Sequence, residues 1–184
     1  MVATRLYTAE DVIKLAAGSD DHFELIEGEL IRMSPATFEH GGLGASFVIE
    51  IGGYARAHRL GKVLDSSTGY FFARDPDTLL EPDVTFVRAD RLPPRDAWRS
   101  FSEVVPDLVV EITSPSQTRA HIQRKIEIYL AAGVRLIWFV HPRRQSITVY
   151  APGREAVTLG AGDELDGEDV LPGFRLAIDA LFRQ

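Results

Sequence analysis

The 184-residue chain contains no cysteine and no asparagine, and only three of its residues are lysines. It has no apolar run approaching the ~20 residues of a membrane span. The missing cysteine excludes disulfides, thiolate zinc sites, cysteine nucleophiles and iron–sulfur ligation together, so any metal has to be held by oxygen or imidazole. The opening stretch MVATRLYTAEDV lacks the basic-then-apolar layout of a signal peptide, and the expectation is a cytoplasmic protein that does not enter membranes. A surplus of positive charge is lacking too. Twenty Lys and Arg stand against 27 Asp and Glu, a net charge of -7, which weighs against a generalist nucleic-acid binder that lives on phosphate neutralisation.

What is present suffices for a core. With 45% hydrophobic and 26% charged residues, the chain reads as one domain over 1–184, with a short helix and hairpin at about 7–33 packed on it. Thr8 and Asp11 form a capping-box variant that opens a helix with Val12, Leu15 and Ala16 inward and Gly18 as its stop. Residues 22–33 read as a hairpin around Glu27-Gly28. Leu43, Phe47, Ile51, Tyr54, Ala55 and His58 recur at helical spacing from Gly42 to Leu60, with Gly61 as the stop. Residues 62–73 and 82–88 read as strands joined by the turn Asp75 to Thr78.

The apolar run Leu108 to Ile112, a helix from Thr118 to Ala132 and a second run Val134 to Val140 describe a βαβ crossover with parallel, buried strands. Ser146 to Tyr150 and Ala156 to Leu159 read as antiparallel edge strands, and Leu171 to Phe182 ends in a short helix. The expected class is α/β with a mixed central sheet flanked by helices.

Period two in DLVVEIT puts Glu111 in the middle of a central strand, on the side opposite Leu108, Val110 and Ile112. A second acid, Asp83, opens the β-rich run EPDVTFV. Neighbouring strands lie ~4.8 Å apart, so two such carboxylates can converge on one divalent cation, and oxygen ligation suits Mg²⁺ or Mn²⁺. Lys125 falls three residues after Ile122 and four before Tyr129, on or beside the buried face of its helix, where Glu111 is its nearest candidate partner. Two acids and a lysine are the parts of metal-assisted phosphodiester hydrolysis.

The segments EPDVTFV, PDLVVEITSPS and RKIEIYLAAGVRLIWFV, preceded by FELIEGELIRMSP and His40, resemble the Uma2 family of restriction-endonuclease-like proteins within the PD-(D/E)XK superfamily. The resemblance runs from Tyr7 to Phe182. It implies a restriction-endonuclease-like fold and a Mg²⁺- or Mn²⁺-dependent endonuclease acting on nucleic acid, DNA first, as a homodimer or higher homo-oligomer. Asp83 matches the first acid of the superfamily pattern and Glu111 the second, both as metal ligands. Thr113 stands where the pattern has lysine, and Lys125 matches the relocated lysine on the next helix. Glu24, His40, Thr113 and Ser114 are implied as supporting residues around the acids. Arg88, Arg91, Arg119 and Arg124 are the candidate nucleic-acid contacts near them. A catalytically silent interaction module and a hydrolase of small phosphate esters are the competing readings. The remaining histidines, His22, His58, His121 and His141, have no spacing that suggests a metal or catalytic triad, and Tyr129, Trp138 and Phe139 read as packing groups.

Overall fold

The structure, a computed structural model, describes residues 5–17, 21–115 and 117–183. Helix α1 (Ala9–Ala16) opens on the reciprocal capping box of Thr8 and Asp11. Its N-terminal turn is pinned where Ala9 N–H donates to Asp77 Oδ2 at 2.9 Å, so Ala9 and Val12 are buried. Leu15 and Ala16, expected inward, are exposed because the later turns of the helix leave the sheet. Gly18 lies outside the described residues, and Ala17 is the cap.

Strands β1 (Phe23–Ile26) and β2 (Glu29–Arg32) form the expected hairpin. Glu27 at φ 52° and Gly28 at φ 77° are both left-handed, as a two-residue turn whose twist matches the strands requires. Helix α2 (Phe38–Ala57) starts earlier than expected, because the Thr37 hydroxyl accepts from His40 N–H at 3.3 Å and caps it there. His40 and the glycines after it therefore belong to its first turns.

Gly61 is not the stop: α2 ends at Ala57, Arg59 takes the left-handed conformation at φ 55°, and Gly61 opens β3 (Gly61–Asp65). A Cβ at Gly61 would lie 2.1 Å from the Val87 carbonyl oxygen, so the close approach of β3 to its neighbour needs glycine.

The two expected strands at 62–73 and 82–88 are four: β3, β4 (Tyr70–Ala73), β5 (Thr78–Leu80) and β6 (Val84–Arg88). Asp65 Oδ1 accepts from Ser67 N–H at 3.2 Å, a local turn that ends β3 and sends the chain into a second sheet. The crossover is as expected: β7 (Leu108–Ile112), α3 (Arg119–Ala131) and β8 (Leu136–His141), with β7 and β8 parallel. Then come β9 (Ser146–Tyr150), β10 (Val157–Leu159), the hairpin β11 (Glu164–Asp166) and β12 (Arg175–Ala177), and α4 (Ile178–Phe182).

The central sheet has the order β10-β9-β8-β7-β6-β3, and the smaller sheet β2-β1-β5-β4. Every central pair except β7 with β8 is antiparallel. On one face Leu108, Val110 and Ile112 pack with Phe47 and Ile51 of α2 and Leu181 of α4. On the other, Val109 packs with Ile126 and Tyr129 of α3, Ile26 of β1 and Tyr70 of β4. The α3 and small-sheet side carries Glu111.

Candidate active site

Four acids meet where the two sheets and α3 join. Glu111 sits on β7 one residue before its end, and Asp83 immediately precedes β6. The last paired register between the strands is Val84 with Val110, so Asp83 and Glu111 face each other one step beyond it. Glu24 is the second residue of β1, and Glu81 follows β5.

Lys125 reaches into this cluster from α3. Its position on the buried stripe with Ile126 and Tyr129 follows from helical spacing, and its ammonium is 1% exposed. Lys125 Nζ lies 2.7 Å from Glu111 Oε1 and donates to Glu24 Oε1 at 3.1 Å. Glu24 Oε1 also accepts from Glu81 N–H at 3.0 Å, and Glu24 is 0% exposed. The Tyr129 hydroxyl donates to the same Glu111 oxygen that Lys125 meets. Asp83 Oδ2 accepts from Ile112 N–H at 2.7 Å, and His40 Nε2 lies 2.8 Å from Asp83 Oδ1. Asp83 is thus tied to the strand of Glu111 and to α2, and Glu111 to α3.

Burial raises the Glu111 carboxyl to about 7; the Lys125 charge opposes that rise, and the charges of Asp83 and Glu24 add to it. Burial alone would lower the Lys125 ammonium, but the carboxylates of Glu111 and Glu24 outweigh it and hold the lysine charged. The Asp83 hydrogen bond raises the His40 imidazole against its own burial, with the charges of Asp83 and Glu111 adding. The Glu81 carboxyl is raised by burial, and His22, at 3.0 Å from its Oε2, draws it back.

Glu24, Asp83, Glu111 and Glu81 together outnumber their basic partners Lys125, His40 and His22, so the cluster holds more acids than bases in a place largely closed to water. A divalent cation fits that donor set. Among the described residues no three His, Asp or Glu groups converge into a ready coordination shell. Mg²⁺ does not require one: it keeps several waters and is held by one or two carboxylates plus the substrate's phosphates.

Beside Asp83 a cleft of about 370 Å³ opens between α2 and the end of β3, lined by His40, Gly41, Gly44, Ala45, Asp65 and Asp83. The glycine-rich stretch at 41–44 forms helix surface there, where small side chains leave room.

The structure brings together Asp83, Glu111, Lys125, Glu24 and His40. Thr113 and Ser114 follow β7: the Thr113 hydroxyl is spent on the Val140 carbonyl at 3.0 Å, and Ser114 N–H donates to Gln117 Oε1 at 3.0 Å. Arg88 and Arg91 do not approach the acids. They lie at the other end of β6, about 14 Å along the strand from Val84, where Arg88 pairs with Asp90 and Arg91 with Asp107. Arg124 is held by Glu27 and Glu29, and Arg119 is exposed at the start of α3.

Tyr129 and Glu81 are members of the cluster that the sequence reading left out. The signal for Tyr129 was its place one turn after Lys125; for Glu81 it was the acid two residues before Asp83. Among the other histidines, His22 braces Glu81, and His141 and His58 bond Thr148 and the Tyr54 carbonyl away from the acids.

The family pattern described as "Putative restriction endonuclease", Uma2, matches residues 9–179. No curated protein gives a match. Among solved structures, a crystal structure from Anabaena variabilis described as "a putative nuclease" superposes with a TM-score of 0.80 at 22% identity, covering 89% of this chain and 91% of that one. That likeness shows a shared fold.

Proposed function

The chain belongs to the Uma2 family, and from that premise we propose that it is a metal-dependent endonuclease that hydrolyses phosphodiester bonds of nucleic acid, DNA in the first instance. The observation that carries the reading is the juxtaposition of Asp83 and Glu111 across β6 and β7 with the Lys125 ammonium 2.7 Å from Glu111. Asp83 and Glu111 would hold a Mg²⁺ or Mn²⁺ ion, which when bound supplies polarisation of the scissile phosphate and an acidified water.

The chain's own groups do the rest. Lys125 opposes the effect of burial on Glu111 and so favours its ionised form, the form that ligates. Glu24 fixes the lysine from its far side. His40, bonded to Asp83, orients that carboxylate toward the cleft. The relocated lysine makes the threonine at 113 compatible with the chemistry, because Nζ arrives at the second acid from the helix instead of the strand.

A second reading, a silent module that binds nucleic acid or protein without cutting, is favoured by one observation. Glu111 Oε1 is already bonded by both Lys125 and Tyr129. Calorimetry separates the readings: failure to bind Mg²⁺ or Mn²⁺ together with retained nucleic-acid binding supports the silent module.

The direct test is cleavage of supercoiled plasmid with Mg²⁺ or Mn²⁺, wild type beside Asp83→Asn. Asn is the better substitution than Ala, since Asp83 accepts from the buried Ile112 N–H, and leaving that donor orphaned costs about 1–3 kcal/mol. Cleavage lost in a folded Asp83→Asn supports the assignment, and undiminished cleavage sinks it. A homo-oligomer is part of the same proposal. The exposed edge strand β10, with Val157 55% exposed, is where a second copy would join, and sedimentation velocity would read the state.

A further inference from the structure

In a chain of net charge -7, most arginines are already neutralised: Arg5, Arg32, Arg74, Arg88, Arg91, Arg124, Arg135, Arg154, Arg175 and Arg183 each meet a carboxylate within 4.0 Å. Among the cations that remain unpaired, one group is clustered. Lys62 near the start of β3, and Arg95 and Arg99 on the 3₁₀ turn Arg95–Arg99, are exposed and have no ion pair or side-chain hydrogen bond among the described residues.

Lys62 and Arg95 are gathered by Trp98, which is 38% exposed, and Arg99 is the next residue along the turn. Lys62 Nζ lies 4.8 Å and the Arg95 guanidinium 4.4 Å from the centre of the Trp98 ring. The indole is itself fixed, because its N–H donates to the Pro93 carbonyl at 2.9 Å. Arg59, exposed and also unpaired, stands three residues before Lys62. The acid within the turn, Asp96, has Oδ1 engaged by Ala97 N–H. Arg56, Arg119, Arg143 and Arg144 are unpaired as well, but among the described residues no aromatic ring collects them.

The place of this group in the fold gives it meaning. β3 is the outer strand of the central sheet beside β6, and its last residue, Asp65, lines the cleft that holds Asp83 and His40. Lys62 precedes Asp65 by three residues, about 10 Å along the strand. By strand alternation Lys62 shares the side of Leu64, on the face that carries Val109 and Glu111, while Asp65 lies with Val63 on the α2 face, so a strand held at Lys62 passes round the outer edge of β3 to reach the cleft. An extent of 10 Å corresponds to about three phosphates per strand of a duplex.

We propose that Lys62 and Arg95, organised on Trp98, form with the neighbouring Arg99 a phosphate-backbone tread that holds the nucleic-acid strand leading into the cleft. This rests on the nuclease reading of the site. The ring is engaged by two cations, so the tread is assigned to phosphates and not to base preference. Ring contact also limits the freedom of two long side chains before binding, which suits preorganised anion contacts. The run of arginines at 88–99 is thereby divided: Arg88 and Arg91 are neutralised and structural, while Arg95 and Arg99 are available.

The test is fluorescence anisotropy of a labelled 20-base-pair duplex in EDTA, where no metal-dependent cutting occurs, titrated from 50 to 200 mM salt. Wild type is compared with Lys62→Ala/Arg95→Ala/Arg99→Ala and with Arg154→Ala/Arg175→Ala, whose arginines are already paired. The expected result is a loss of roughly tenfold or more at low salt and a log–log salt slope shallower by about 2 to 3 in the triple variant, with the paired-arginine variant near wild type.

Melting temperatures close to wild type would exclude misfolding. A triple variant with the wild-type slope overturns the tread, as does an equal loss in the paired-arginine variant, which would point to net charge alone. Stronger binding of phosphatidylcholine–phosphatidylglycerol vesicles than of duplex, lost in the triple variant, would assign the patch to a lipid surface and also overturn it. Plasmid cleavage in Mg²⁺ separates the two proposals. Patch-dependent binding without cleavage supports the tread and defeats the nuclease reading, whereas cleavage with patch-independent binding does the reverse.

Discussion

Lys125 shows how much a single side chain can be asked to do. It is nearly the only positive charge inside an acidic cluster, and a lysine is rarely buried to this degree without anionic partners. Lys125→Met keeps most of the volume but removes the charge that compensates Glu24 and Glu111. Breaking a buried pair in this way typically costs about 3–5 kcal/mol, so urea denaturation near neutral pH should show a loss of that order. Adding Glu24→Gln and Glu111→Gln should recover much of it, because the uncompensated charges go too. A loss below about 1 kcal/mol in the single variant would mean that the cluster is wetter or less charged than its burial indicates. Asp83 carries the complementary lesson: one of its oxygens is structural, held by Ile112 N–H, and the other is tied to His40, so a truncation there mixes fold with function.

At the scale of elements, the site is assembled by β1, β3, β6, β7, α2 and α3, and β3 and β6 meet in a close joint. Gly61 faces Arg88 in that pair with no room for a Cβ. Gly61→Ala should push the edge strand away, at a cost of about 1–3 kcal/mol typical of overpacking. Since Asp65 at the strand's other end lines the cleft, cleavage should fall along with the denaturation midpoint. Unchanged stability in this variant would show that β3 tolerates displacement. The elements that departed from expectation did so for local reasons. The Thr37 cap started α2 early, and the Asp65 turn split one expected strand into two belonging to different sheets.

At the scale of the whole molecule, the excess of buried acid predicts that the folded state gains from a divalent cation. Binding to the native state alone stabilises by about 2.7 kcal/mol when the ion is present at a hundred times its Kd. For a chain of this size that shift is roughly 5–10 °C in Tm. Differential scanning fluorimetry should therefore show a Tm that climbs with Mg²⁺ or Mn²⁺ and a much smaller rise in Asp83→Asn. A flat response in wild type would remove the metal from the account independently of any cleavage assay. Among the described residues no helix is long and apolar enough to cross a membrane, in keeping with the absence of long apolar runs.

The sequence by itself determined the βαβ crossover, the hairpin at Glu27-Gly28 and the placement of Glu111 and Lys125 on inward faces. Those depend on periodicity, turn residues and short-range sterics, which act within a few residues of each other. It also carried the family resemblance, because EPDVTFV, PDLVVEITSPS and the lysine helix keep their order along the chain.

Only the tertiary structure decided that Glu24, from a strand about a hundred residues away, closes on Lys125, that Tyr129 is a hydrogen-bond donor to Glu111, and that Arg88 and Arg91 are neutralised while Lys62, Arg95 and Arg99 are not. Those outcomes depend on which distant groups share a dielectric and a few ångströms of space. Charge pairing of this kind has no periodicity for a sequence to display.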